Sequence, residues 1–122
     1  MVTTAMPNPG SESASLGIRE VTKSFPTPEN DAVRTLAISG VSLGVEAGEF
    51  VSIIGPSGCG KSTLLRLIAG LEIPDAGELL IGNKSITGPS AERGLVFQDP
   101  NLFPWLTVRG NIQAGLVARG LL

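Results

Sequence analysis

The stretch Gly55-Pro56-Ser57-Gly58-Cys59-Gly60-Lys61-Ser62 leaves this chain few folds to choose from. Its spacing is G-x-x-x-x-G-K-[ST], a phosphate-binding pattern with a specific physical demand behind it. A polyphosphate is wrapped by backbone N–H groups, which side chains would keep at a distance. Gly55, Gly58 and Gly60 remove Cβ atoms where the backbone must come close or turn left-handed. The wrapped N–H groups form an anion nest, strengthened by the positive end of a following helix. Lys61 then stands where its ammonium reaches the β- and γ-phosphates. Ser62 offers a hydroxyl to Mg²⁺, and Thr63 lies on the α-phosphate side. Pro56, Ser57 and Cys59 complete the loop; Cys59 reads as a small residue fitted to the turn.

Such a loop works only between a strand and a helix, and both are expected. Phe50-Val51-Ser52-Ile53-Ile54 is a short apolar run that reads as a buried parallel strand. After the loop, Leu64, Leu67, Ile68 and Leu71 recur at i, i+3, i+4, i+7, one face of a helix, with Gly70 placed to end it.

The bulk of the sequence narrows the class further. With 122 residues the chain makes one domain at most. It is 42% hydrophobic and only 16% charged, an imbalance that points to surface meant to be covered. A net charge of −2 gives no basic footprint for nucleic acid. A single cysteine rules out an internal disulfide and fits a reducing compartment, so a cytoplasmic location is expected. No apolar run approaches the length of a membrane span, and no signal-peptide pattern opens the chain.

Read in order, residues 1–15 are rich in Thr, Pro, Ser and Asn and read as a disordered leader; 16–122 form the domain. Leu16–Phe25 alternates as a first strand, and Pro26–Asp31 reads as a loop. Val33–Ile38 and Val41–Val45 are expected as two strands joined around Ser39-Gly40, with Glu46–Glu49 a turn. Past the helix, Pro74–Gly77 is a turn and Glu78–Ile81 with Lys84–Ile86 a hairpin about Gly82-Asn83. Gly94–Phe97 reads as another short strand ending at Gln98. A loop with exposed aromatics follows over 99–105, then a helix capped by Thr107 and running to about Arg119.

Several of these stretches together resemble the ATPase subunits of ABC transporters: Gly55–Thr63, Ile68–Glu72, Pro74–Gly77 and Gly94–Gln98. The resemblance covers about residues 16–120. The run Leu102-Phe103-Pro104-Trp105-Leu106-Thr107-Val108 is similar to the ATPases of nitrate, aliphatic sulfonate and taurine importers. The resemblance implies an α/β fold, the P-loop NTPase core of an ABC nucleotide-binding domain with an antiparallel β edge, truncated before its helical subdomain. It implies ATP and Mg²⁺ as cofactors. Gln98 matches the Q-loop glutamine, which contacts Mg²⁺ and the region of the attacking water. Phe25 falls where the family stacks an aromatic on adenine, with the end of a core strand as its other reading. Leu102–Trp105 lies where the family faces its transmembrane permease; a local hydrophobic cap is the other reading.

The signature loop, the second acidic strand-end motif with its catalytic Glu, and the switch His have no counterpart here, and the chain contains no His at all. The resemblance thus implies the N-terminal part of an ATPase. In full length it would pair with a second ATPase subunit and work peripherally on the cytoplasmic membrane face, with a solute-binding protein as an indirect partner. The remaining readings are a nucleotide-binding remnant without hydrolysis and another P-loop protein, such as a small-molecule kinase.

Overall fold

The computed structural model describes residues 15–99 and 101–122, and the backbone alone over residues 2–7. Among the described residues six strands and two helices follow one another: β1 (Val2–Pro7), β2 (Leu16–Thr27), β3 (Asn30–Val45), β4 (Glu49–Ile54), α1 (Lys61–Ala69), β5 (Ala76–Ile81), β6 (Lys84–Ser85) and α2 (Val108–Ala118). Four of them form an antiparallel sheet in the order β3-β2-β5-β6, while β1 and β4 pair as a separate antiparallel ribbon.

The long β2–β3 hairpin differs from expectation in two places. The segment Pro26–Asp31 is not a loop: β2 continues to Thr27, and the chain turns over residues 28–29. Pro26 is tolerated because the β5 ladder on the other side of β2 ends at Thr22–Ala76, so Pro26 faces only Arg34 of β3. The two strands expected around Ser39-Gly40 are one, Asn30–Val45. Gly40 carries the irregularity at φ 57, opposite a bulge where Glu20 takes φ 47, and the Gly40 N–H donates to Thr22 Oγ1 at 3.0 Å.

The helix α1 spans only Lys61–Ala69, too short to stand alone in water. Tertiary burial holds it. Leu64 and Leu67 are fully buried and meet Ile18, Val21, Ile38 and Leu79 of the four-stranded sheet, with Ile68 packed beside them. Each such side chain contributes about 1.5–3 kcal/mol on removal from water. Leu71 lies past the helix end and is exposed, so the apolar face stops at Ile68. Gly70 ends the helix as expected, its N–H reaching the carbonyls of Arg66 and Leu67.

The strand carrying the loop is present, but its setting is corrected. Glu49–Ile54 pairs antiparallel with Val2–Pro7, and Phe50 and Ile54 are exposed, whereas a buried parallel strand was expected. A parallel neighbour requires a crossover back to the same sheet, and α1 leads instead to β5, which pairs with β2. The same ribbon places residues 2–7 of the expected disordered leader in a strand; residues 1 and 8–14 of that leader lie outside the described residues. Gly94–Phe97 is not a strand. Among the described residues it has no ladder partner, and Val96 is almost wholly exposed. The turn at 82–83 and α2 stand where expected, and the β5–β6 hairpin does so except that β5 starts at Ala76, within the stretch expected as a turn. Among the described residues no helix is long and apolar enough to cross a membrane.

Candidate functional site

The loop at residues 55–60 hangs between β4 and α1, and its last glycine is wedged against β3. Gly60 sits at φ 95, and a Cβ there would lie 2.6 Å from the Ala37 carbonyl oxygen. Only glycine brings the head of α1 this close to the sheet. Gly60 has no side chain, so no side-chain cap bond closes the first N–H groups of α1. They are the positive end of the helix and face the loop.

Lys61 folds back over that loop. Its Nζ donates to the Gly55 carbonyl at 2.6 Å and the Pro56 carbonyl at 2.7 Å, and stands 3.5 Å from Cys59 Sγ. Carbonyl oxygens are weak partners for an ammonium beside what a phosphate offers, because a full negative charge makes the stronger bond. An anion entering the loop would therefore compete well for this cation. The loop is closed on itself by Cys59 N–H to Pro56 carbonyl, 3.3 Å, and Leu64 N–H to Gly60 carbonyl, 2.9 Å.

Lys61, Ser62 and Thr63 open onto a cleft of about 660 Å³ that Gln98 also lines, together with Val51, Ile53 and Asp99. Gln98 thus borders the same cleft as Lys61, Ser62 and Thr63 although it lies 36 positions beyond Ser62 in the chain, while residues 55–60 do not line it. Gln98 itself is exposed. Among the described residues no three His, Cys, Asp or Glu side chains gather as a metal cage. The oxygen donors Ser62 and Gln98 instead suit Mg²⁺, a hard ion that keeps several waters and is held by few protein ligands plus substrate phosphates.

Phe25 does not line that cleft. It faces Thr35, two residues from Ala37, whose carbonyl backs Gly60. Its ring is half-buried and lies 5.2 Å from Lys23 Nζ.

On the opposite end of the chain, Phe103 and Trp105 form a tilted ring pair with centroids 5.2 Å apart, and Trp105 is 75% exposed. The reading of the sequence missed the residue that shapes this loop, Asn111 on α2. Its Oδ1 accepts from Phe103 N–H at 2.8 Å, and its Nδ2 donates to the carbonyls of Phe103, Leu106 and Thr107. Thr107 caps α2 as expected, its side chain accepting from Gly110 N–H at 3.1 Å. An Asn four residues after an N-cap is the signal that could have been read. Pro100, in the same connection, lies outside the described residues.

Comparison with known proteins places this geometry. The ABC transporter family model matches residues 38–120. The taurine import ATP-binding protein TauB of Roseobacter denitrificans is 47% identical over 105 residues, 86% of this chain and 38% of TauB. The nitrate import ATP-binding protein NrtD of Synechocystis sp. is 51% identical over 85 residues, 70% of this chain and 32% of NrtD. The chain thus spans between about a third and two fifths of the length of these relatives. Among solved structures, the dimeric ATP-binding cassette MJ0796 bound to ADP and phosphate superposes with a TM-score of 0.64 at 29% identity, over 85% of this chain and 47% of that one. A glycine loop wedged on the sheet, a lysine held within it and a glutamine brought to the same cleft sit within a fold shared with that cassette, and this chain belongs to the ABC transporter ATP-binding family.

Proposed function

We propose that this chain binds Mg²⁺-ATP through Gly55–Thr63, with Gln98 facing the γ-phosphate and Phe25 stacked on adenine. The observation that carries this reading is the Lys61 ammonium, held by two loop carbonyls at the head of α1 and bordering the cleft that Gln98 lines. Backbone N–H groups of the loop and of α1 bind phosphate oxygens, and Lys61 exchanges its carbonyl partners for them. Ser62 and Gln98 would hold Mg²⁺, which shields phosphate charge when bound. Gln98 orients a water on the γ-phosphate side.

In the whole protein the same reading makes this an ATP-hydrolysing subunit of an importer for a small oxyanion or sulfonate, in line with the import names TauB and NrtD. It pairs with a second ATPase subunit and docks on a permease through Leu102–Trp105, at the cytoplasmic face of the membrane. The family assignment sets aside the small-molecule kinase. The other reading, binding without hydrolysis, is favoured for this chain by itself: among the described residues lining the cleft, Asp99 is the one carboxylate, and it is exposed.

Lys61→Ala tests the central claim. Isothermal titration with Mg²⁺ and a non-hydrolysable ATP analogue should show affinity at least about tenfold weaker, as expected for a lost charge-assisted bond, with the far-UV circular dichroism unchanged. Equal affinity would sink the assignment of the loop.

A further inference from the structure

Lys23 is an unusual cation. Its side chain is only 13% exposed, and no sequence pattern marks it. Its Nζ donates to the Ile73 carbonyl at 2.8 Å and lies 3.6 Å from a Glu72 carboxylate oxygen and 3.8 Å from one of Asp75. It also stands 5.2 Å from the centroid of the Phe25 ring. Asp75 fastens the residue between them, accepting from both the N–H and the hydroxyl of Ser24 at 2.7 Å. Arg34 closes the group from β3, donating to the Ser24 hydroxyl and carbonyl at 2.8 Å each.

We propose that Lys23 is a positioning residue for nucleotide binding: its ammonium clamps one face of the Phe25 ring, leaving the opposite face set for the base. The proposal rests on the reading of Phe25 as the surface on which the base stacks. A cation over an aromatic face is attracted by the ring quadrupole, most strongly when water is excluded. Here the ammonium is held by the Ile73 carbonyl and faces two carboxylates, so it stays in place. A ring fixed before the ligand arrives loses less rotamer freedom on binding, which strengthens stacking without any new contact to the base.

The arrangement also ties the two ends of the ligand together. Lys61 opens α1 at the phosphates, Gly70 closes it, and the chain reaches Ile73, whose carbonyl holds Lys23. The phosphate loop and the base platform therefore hang on the two ends of one nine-residue helix.

The test titrates the chain and its Phe25→Ala, Lys23→Met and doubly substituted variants with Mg²⁺-ATP and with Mg²⁺-tripolyphosphate, which lacks the base. Phe25→Ala and Lys23→Met should each weaken ATP by about three- to tenfold and leave tripolyphosphate within about twofold. The double variant should bind ATP no more weakly than Phe25→Ala, and Lys23→Arg should restore it. Lys23→Met weakening both ligands equally, or adding its full effect to Phe25→Ala, overturns the proposal while leaving the stacking role of Phe25 intact. Phe25→Ala leaving the ratio of the two affinities unchanged removes the stacking reading, and the role of Lys23 falls with it. Should circular dichroism show Lys23→Met unfolded, Lys23→Gln and Lys23→Arg make the same comparison: Gln must lose the base-dependent part of the affinity and Arg must keep it.

Discussion

Substituting alanine at Gly60 and at Gly58 separates two causes that a glycine loop usually confounds. Both residues are left-handed, at φ 95 and φ 79. A non-glycine residue in that region costs about 1–2 kcal/mol. At Gly58 that is the whole effect, because nothing lies within 4 Å of the added Cβ. At Gly60 the Cβ would lie 2.6 Å from the Ala37 carbonyl oxygen and 3.2 Å from Ile38 Cγ1. The first neighbour is backbone of β3 and the second is a core side chain, so neither yields freely. Overpacking of this kind adds about 1–3 kcal/mol, bringing Gly60→Ala to about 2–5 kcal/mol. Stiffening of the unfolded chain returns a few tenths to about 1 kcal/mol, but equally in both variants, so it cancels in the comparison. Relief would come by tilting α1 off the sheet, loosening Leu64 and Leu67. Urea denaturation followed by circular dichroism reads this as two midpoint shifts at constant slope. Destabilisation of Gly60→Ala within about 0.5 kcal/mol of Gly58→Ala, less than the smallest overpacking cost, would refute the wedge of Gly60 against β3.

Trp105 on its exposed loop should be quenched readily by acrylamide, and a Trp105 shielded from it would show a local hydrophobic cap instead. The Asp75 carboxylate is held below its ordinary value of 3.8, first by the Ser24 hydroxyl, then by the Ser24 N–H, with Lys23 and Arg34 adding to this and desolvation opposing it. A depressed folded value means that its contribution is complete above pH 3.8 and is lost as pH falls below that. Urea midpoints of the chain and of Asp75→Asn should therefore keep a constant gap at neutral pH and converge in acid, and a gap persisting in acid would contradict it. The chain by itself should release no phosphate from ATP above a Lys61→Ala blank, because in-line attack requires the water and the γ-phosphate to be stabilised together. Lys61-dependent release would mean that Asp99 or Gln98 activates the water unaided.

Local signals survived the passage from sequence to structure, and those that depend on distant partners did not. The Gly55–Ser62 loop, the face of α1 from Leu64 to Ile68, the Gly82-Asn83 hairpin and the Thr107 cap are each written within a few residues, and each stands. Gly94–Phe97 has the composition of a strand, yet a strand exists only through its ladder, and none of the described strands pairs with it. Ser39-Gly40 looked like a break because glycine and serine punctuate chains; it is a bulge, since Glu20 on the neighbouring strand turns to match it. Lys23 and Arg34 carried no signal, and Asp75 was legible only as a turn residue. The bonds joining Lys23 and Ser24 to residues 73 and 75 span 50 and 51 positions, and a charged residue in an alternating strand looks solvated until its partner is known. At the site, Lys61 and Ser62 were readable from spacing, Gln98 only through resemblance.

The carboxamide of Asn111 has a consequence for association. It anchors the Phe103 backbone at both its N–H and its carbonyl and reaches Leu106 and Thr107 as well, fastening the Phe103–Trp105 loop to the first turns of α2. Fixing a loop residue costs about 1–2 kcal/mol of conformational entropy, and here that cost falls on folding, not on docking. A partner meeting the two rings encounters a surface already in shape, so contact area converts to affinity with little left to order. Recognition at this corner would proceed as a rigid fit, and changes to the rings would be felt in how long the partner stays more than in how fast it arrives.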